Sequence, residues 1–397
     1  MKWSQYGGHK IMKRLKVLAV GDPAVDVYVS AKYNILTGFE EKNNIKVDFE
    51  ILQWDEYYNR MMDALTGKAS YDIIMVAGHL WLKDFVDKGY LARLTYPSDK
   101  QYDKEDILPI ILDEMQLNGD YYLYPSFCDG HMILYRKSVT LAALGKLPEK
   151  VISTDDYIQM VRKCHNNDFA SGVAMKAHSS EIFLDFLPYL RNEGIDAFSL
   201  ETGLPTFHNE KGVLALDKYI ELKKYALAGT ENFGNQEVKD AFQQKKTVFT
   251  TTWGGQLGVV LDNECVDPED VGYSTFKTPW NVTWSFAIPS SSTNKTEAEK
   301  LLIYLTSKEI DQCVGEYAGS PVRKSTYLFG EKAYPWYPIH LEMIEKFAKP
   351  LPMLKDSGAI FGCLYHQIYE AFTEKKSSKE ALQTAYDDIM EVLNGGK

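Results

Sequence analysis

A chain of 397 residues exceeds what one ordinary core organises, so two domains are expected, each with a substantial interior. Hydrophobic residues at 45% and charged residues at 25% are ordinary for a globular protein, and 44 basic against 55 acidic side chains leave a net charge of −11. The absence of a concentrated Lys/Arg stripe argues against nucleic acid or anionic membrane as partner, and no apolar run reaches the roughly 18–20 residues that span a bilayer.

The opening "MKWSQYGGHKIMKRLKVLAVGDP" is positively charged, but "VLAV" is too short for a signal h-region and reads as part of a first β-strand, Lys16–Val20. Gly21 ends that strand, Asp22 is the candidate N-cap, and Pro23 takes the first helical position. Val25, Val29, Tyr33 and Leu36 then recur at helical spacing and predict one buried face. A second strand follows over Lys46–Leu52, and a helix runs from Asp55 to near Gly67. "YDIIMV" (71–76) predicts a third strand, and a helix around Leu82–Lys88 closes at Gly89. The alternation is that of a parallel sheet flanked by helices.

In open sheets of this kind ligands bind beyond the carboxyl ends of the strands. Those ends are "GDPAV" (21–25), "QWDEY" (53–57) and "AGHLW" (77–81), which bring Asp22, Trp54, Asp55, His79 and Trp81 forward as candidates. The competing reading of each tryptophan is that it covers a helix. In "YPSFCDGHMILYRKS" (124–138), Pro125 interrupts a strand-like run and "CDG" predicts a turn before the strand "HMILYRK". Asp129 beside a glycine, flanked by Phe127 and His131, is suited to hold hydroxyl groups, with an ordinary hairpin turn as the alternative.

From about residue 140 the chain reads as helices joined by polar loops. "TVFTTTWGGQLGVV" (247–260) then sets Trp253 at the lip of a strand and strips the next two positions of side chains. Either Trp253 is a flat wall that Gly254 and Gly255 leave open to a ligand, or it is a core tryptophan beside a turn. Strand chemistry returns at 271–289, with Trp280 and Trp284 four apart, and the tail is helical again. There Ser377 and Glu380 form a capping box ahead of Leu382, Tyr386, Ile389 and Leu393 on one face.

Signatures of catalysis are missing: G-x-S-x-G, H-E-x-x-H and G-x-G-x-x-G do not occur, and the eight histidines lack metal-ligand spacing. No cofactor and no metal is expected. The cysteines at 128, 164, 265, 313 and 363 are odd in number, widely spaced and without C-x-x-C, which predicts five free thiols. The sequons "NVT" (281–283) and "NKT" (294–296) are common enough by chance to carry no weight.

Five ordered stretches carry a family resemblance from about residue 15 to 394. They are "QWDEYYNRMMDALTGKASYDIIMVAGHLWLKDFVDKGYLARL", "YPSFCDGHMILYRKSV", "FQQKKTVFTTTWGGQLGVV", "WSFAIPSSSTNKTEAEKLLIYLTSKE" and "GEYAGSPVRKS". In these the chain resembles the extracytoplasmic sugar-binding proteins of ABC transporters, the group around the maltose-binding proteins. The resemblance implies a two-lobe α/β periplasmic-binding-protein-like fold, each lobe a mostly parallel sheet flanked by helices, with crossing hinge strands and a sugar in the cleft. It places the crossings at "YPSFCD", at "VGYSTFK" and after residue 310. The lobes would then be 1–125 with 276–312, and 126–275 with 313–397.

Sugars offer apolar faces and a rim of hydroxyls, so flat rings and polar side chains at junctions suit them. Asp22, Trp54, Asp55, His79, Trp81, Phe127, Asp129, Trp253, Gly254, Trp280 and Arg323 form the expected ligand set. The resemblance implies a monomer, a permease partner and a location outside the cytoplasmic membrane, with a targeting segment preceding this sequence. The alternatives are a glycosidase or lyase, for which only Asp55 and Asp129 are placed, or a binder of glycerol phosphate, ferric ion or polyamine.

Overall fold

The computed structural model describes residues 13–166 and 170–395, so the charged stretch before Lys13 lies outside the described residues. Strand β1 (Lys13–Val20) runs parallel to β2 (Ile45–Leu52) and to β3 (Ile73–Ala77), with Val17 opposite both Phe49 and Ile73. Leu15, Val17, Leu18 and Ala19 are fully buried, because helices cover both faces of a parallel sheet. A small hairpin of β4 (Gln116–Leu117) and β5 (Asp120–Tyr121) precedes the long strand β6 (Tyr124–Arg136).

Local chemistry explains three departures from the expected elements. The first helix stops at Val29, Ser30 turns extended, and a second helix (Ile35–Asn43) starts after left-handed Asn34. Val29 is therefore 45% exposed and does not share the buried face of Val25. "AGHLW" is no loop: the helix Gly78–Asp87 begins inside it, so His79 and Trp81 ride on its first turn. "CDG" is no turn either, because β6 continues through it for thirteen residues, all buried. Pro125, which cannot donate to a ladder, sits where the pairing with the partner strand shifts register between Trp284 and Ser285.

Continuity of β6 joins the two halves of the molecule. Its first part pairs antiparallel with β11 (Trp280–Ala287), which itself pairs with β3 and extends the first sheet. Its second part pairs antiparallel with β9 (Thr247–Trp253) and with β10 (Val271–Phe276). β7 (Val151–Ile152) and β8 (Ser171–Ala174) complete that second sheet by parallel pairing with β10 and β9. The sheets are mixed rather than mostly parallel, since the crossing strands run against their neighbours. β10 and β11 lie in different sheets, so the link between them is a second crossing.

The third crossing comes later than the sequence suggests. Helices Lys308–Tyr317, Lys324–Gly330 and Tyr337–Glu342 bury Ile310, Val314, Tyr327, Tyr337 and Met343 in the cluster that holds the first sheet. Only after β12 (Lys349–Pro350), paired with β11, do Leu351, Ile360 and Leu364 join the second cluster. The expected second-lobe segment 313–397 is corrected accordingly: up to Ile344 it packs with the first core, because its apolar faces point there. The tail helix Ser378–Leu393 keeps its capping box, with Leu382 and Ile389 buried and Leu393 37% exposed.

All five cysteines are unpaired, with Cys128 and Cys164 buried. Alkylation after unfolding without reductant is expected to label five thiols per chain, and any shortfall read by mass spectrometry would contradict this. Asn281 is fully buried and donates to Glu114 Oε1 at 2.8 Å, so the "NVT" sequon is a crossing-strand feature and no glycan site in the folded chain.

Candidate functional site

β1 delivers Asp22 at its carboxyl end, where Oδ1 accepts from the Ala24 N–H at 2.8 Å and caps the helix Pro23–Val29. Oδ2 accepts from Gln256 Nε2 at 3.2 Å, a side chain arriving from the far sheet. β6 delivers Asp129, opposite Val282, and its Oδ1 accepts from the Gly255 N–H at 2.9 Å. Burial and then the charge of Asp129 hold the Asp22 carboxyl well above its ordinary range, and burial pushes Asp129 up to about 6.

Trp253 ends β9, opposite His131, and is 6% exposed. Its Nε1–H donates to Glu181 Oε2 at 2.9 Å, and the Lys176 ammonium lies 3.6 Å from its ring centroid. Trp280 meets it edge-on at 4.7 Å and stacks on His131 at 5.8 Å, while its own indole N–H donates to the Leu184 carbonyl. Behind them Asp185 accepts from Tyr219 and Thr251 hydroxyls and pairs with His131 Nε2 at 3.0 Å. Lys176 is fully buried and bonded to Asn235; burial lowers it to about 8, against the charges of Glu181, Asp129, Asp185 and Asp22.

Asp22, Asp129, Phe127, Trp253 and Trp280 thus converge where the two sheets meet. Phe127 is fully buried, its ring edge 3.2 Å from where a Gly255 Cβ would stand. Gly254 needs a different explanation from the expected one: a Cβ there would meet His340 Nε2 at 2.6 Å and the Cys128 carbonyl at 3.1 Å. The bare backbone admits the protein's own side chains, so Gly254 is a packing glycine rather than a ligand window.

The remaining candidates stand apart. Trp54, 46% exposed, stacks on Trp81 at 5.8 Å, and Trp284 meets both edge-on, forming a separate aromatic group on the first lobe. His79 tilts against Phe361 at 6.2 Å, and burial lowers it to about 3. Asp55 is exposed on the first turn of the helix Trp54–Leu65. Arg323 is no cleft residue: it is fully buried, its guanidinium donating to the carbonyls of Thr306, Tyr102 and Asp103. It holds the first core together because a buried cation there is surrounded by acceptors.

Lys176, Glu181, Gln256 and His340 join this group in the structure, and the sequence reading misses them. The signal for two of them was present: "MKAHSSE" (175–181) directly follows β8, so it too lies beyond the carboxyl end of a strand.

A family model described as bacterial extracellular solute-binding protein matches residues 22–312. The chain is 23% identical to a mannitol-binding protein of Pseudomonas aeruginosa, covering 80% of this chain and 76% of that protein. Maltose-bound MalE3 of T. maritima superposes with a TM-score of 0.84 at 20% identity, over 96% of this chain and 99% of that one. A solute-binding protein of Agrobacterium vitis S4 with bound D-mannitol gives 0.83 at 21% identity, over 97% and 99%. The matched segment includes Asp22, Asp129, Lys176, Glu181 and Trp253 and spans well over half the sequence, and the chain belongs to the bacterial extracellular solute-binding protein family.

Proposed function

We propose that this protein is the binding component of an ABC importer and captures a neutral sugar or polyol between its lobes, without chemical conversion, for delivery to a membrane permease. The observation that carries this reading is the convergence of Glu181 and Lys176 on Trp253, and of Asp129 and Asp22 on Gly255 and Gln256 just after it. Carboxylates accept from hydroxyls and the ammonium donates, with the indole holding Glu181 and Lys176 in place, which suits the hydroxyl rim of a polyol. Three acids against one lysine also disfavour an anion, so glycerol phosphate fits this cluster poorly. The protein would act outside the cytoplasmic membrane as a monomer. Among the described residues no helix is long and apolar enough to cross a membrane.

A melt against D-mannitol, D-sorbitol, maltose, glycerol 3-phosphate and spermidine tests the reading. A neutral ligand at a hundredfold excess over its Kd is expected to add about 2.7 kcal/mol of stability. Asp129→Asn is expected to weaken that ligand by about tenfold, the loss of one charge-assisted hydrogen bond. Stabilisation by glycerol phosphate or spermidine and by no sugar or polyol would overturn the reading, as would hydrolysis of maltose in a reducing-end assay.

A further inference from the structure

The segment Gly254–Gly258, "GGQLG", continues β9 of the second sheet, yet its contacts lie on the other side of the cleft. Gly255 donates to Asp129, Gln256 to Asp22, and the Gly258 N–H to the Ala318 carbonyl at 2.8 Å. Leu257 is fully buried against Gly319, where an added Cβ would stand 2.8 Å from its own. Each glycine stands where a side chain could not: a Cβ would meet His340 at 2.6 Å from Gly254, Asp129 at 2.9 Å from Gly255, and the Tyr317 carbonyl at 2.1 Å from Gly258. His340 is itself fully buried, tied through Nδ1 to the Tyr327 hydroxyl at 3.0 Å, with Nε2 turned to Gly254 and no partner among the described residues.

We propose that Gly254–Gly258 is a latch that clasps the second lobe to the first, and that a proton on the Asp22/Asp129 pair is what allows it to engage. Two adjacent latch residues each bind one of these carboxylates, so closing covers both acids and takes them out of water. Asp22 faces Asp129, Asp26 and Lys176, while Asp129 faces Lys176 and Glu181. Lys176 is shared with Glu181 and Asp185, so it does not neutralise the pair alone. Opening returns both carboxyls to water.

The acid form is therefore favoured in the closed state. Closure has its full proton-linked support below the ordinary value of 3.8 and loses it as pH rises through the closed-state value of about 6 for Asp129. A shift of that size changes the closed-to-open ratio by on the order of a hundredfold. The latch joins the lobes themselves and acts whatever ligand lies between them.

Small-angle scattering on the ligand-free full chain from pH 4.5 to 7.5, with circular dichroism as a control, tests it. The radius of gyration is expected to grow with pH while secondary structure stays constant. The double variant Asp22→Asn/Asp129→Asn keeps both hydrogen-bond acceptors without a titrating carboxyl and should stay compact across the range; Gln256→Ala and Gly258→Ala should be open throughout. A pH-independent radius in the unmodified protein, or a double-variant profile that follows the unmodified protein's rise with pH, overturns the proton linkage. A Gly258→Ala protein that melts earlier but keeps a compact radius overturns the latch, since the segment would then be fixed packing.

Discussion

Trp253→Ala is expected to destabilise the ligand-free protein by about 3–5 kcal/mol, the range for emptying a buried aromatic site. The indole is 6% exposed and packed against Trp280 and His131, so little of its surface is left for a ligand in this arrangement. Two further consequences have the same sign. Glu181 loses the indole N–H at 2.9 Å, and Lys176 loses the ring face 3.6 Å away, which leaves both charged groups short of partners. A buried group left unsatisfied costs about 1–3 kcal/mol, although neighbours do not add simply.

Ligand affinity should fall as well, because Lys176 and Glu181 no longer have the wall that orients them. Trp253→Phe separates the two roles: it refills most of the space but cannot donate to Glu181. Its melting temperature should recover more than half of the alanine loss, while its affinity stays reduced. A melt and a calorimetric titration on both variants decide the matter. Affinity within threefold of the unmodified protein in both would remove Trp253 and its neighbours from the binding surface.

Those parts of the fold whose signals are local were legible. Alternation of strand and helix, Asp22 before Pro23, and the Ser377–Glu380 box each follow from a few adjacent residues. What the sequence concealed depends on distant partners. "CDG" looks like a turn until β11 pairs with one part of that strand and β9 with the next. Gly254 and Gly255 suggest space for a ligand, and only the fold shows that His340 and Asp129 come from 86 residues downstream and 126 upstream to fill it. Lys176 directly follows β8, but nothing near it in sequence announces Trp253 as its partner. Arg323 misled for the converse reason: a polar side chain at a junction suits a sugar's hydroxyls, whereas its acceptors are carbonyls some 220 residues away at Tyr102 and Asp103.

Arg323→Met is accordingly expected to cost about 3–5 kcal/mol of stability, as breaking a buried charge network does, while leaving ligand affinity unchanged in whatever fraction is folded. Three carbonyls lose their donors, and Asp311 loses a cation. Burial holds the Asp311 carboxyl up at about 6 from an ordinary 3.8, with Arg323, Thr326 and two backbone N–H groups pulling it down. Without Arg323 that value rises further. An acid whose folded-state value is raised supports the fold fully below its unfolded value and withdraws that support as pH rises through the folded one. The unmodified protein has Asp311 largely protonated at pH 5 and charged at pH 8, so removing the cation penalises the fold chiefly at the upper end. The stability gap between the two proteins, from urea melts at pH 5 and pH 8, should be wider at pH 8. A gap that does not change with pH would show that Arg323 acts through its carbonyl bonds alone, and a loss of affinity at full folding would return it to the cleft.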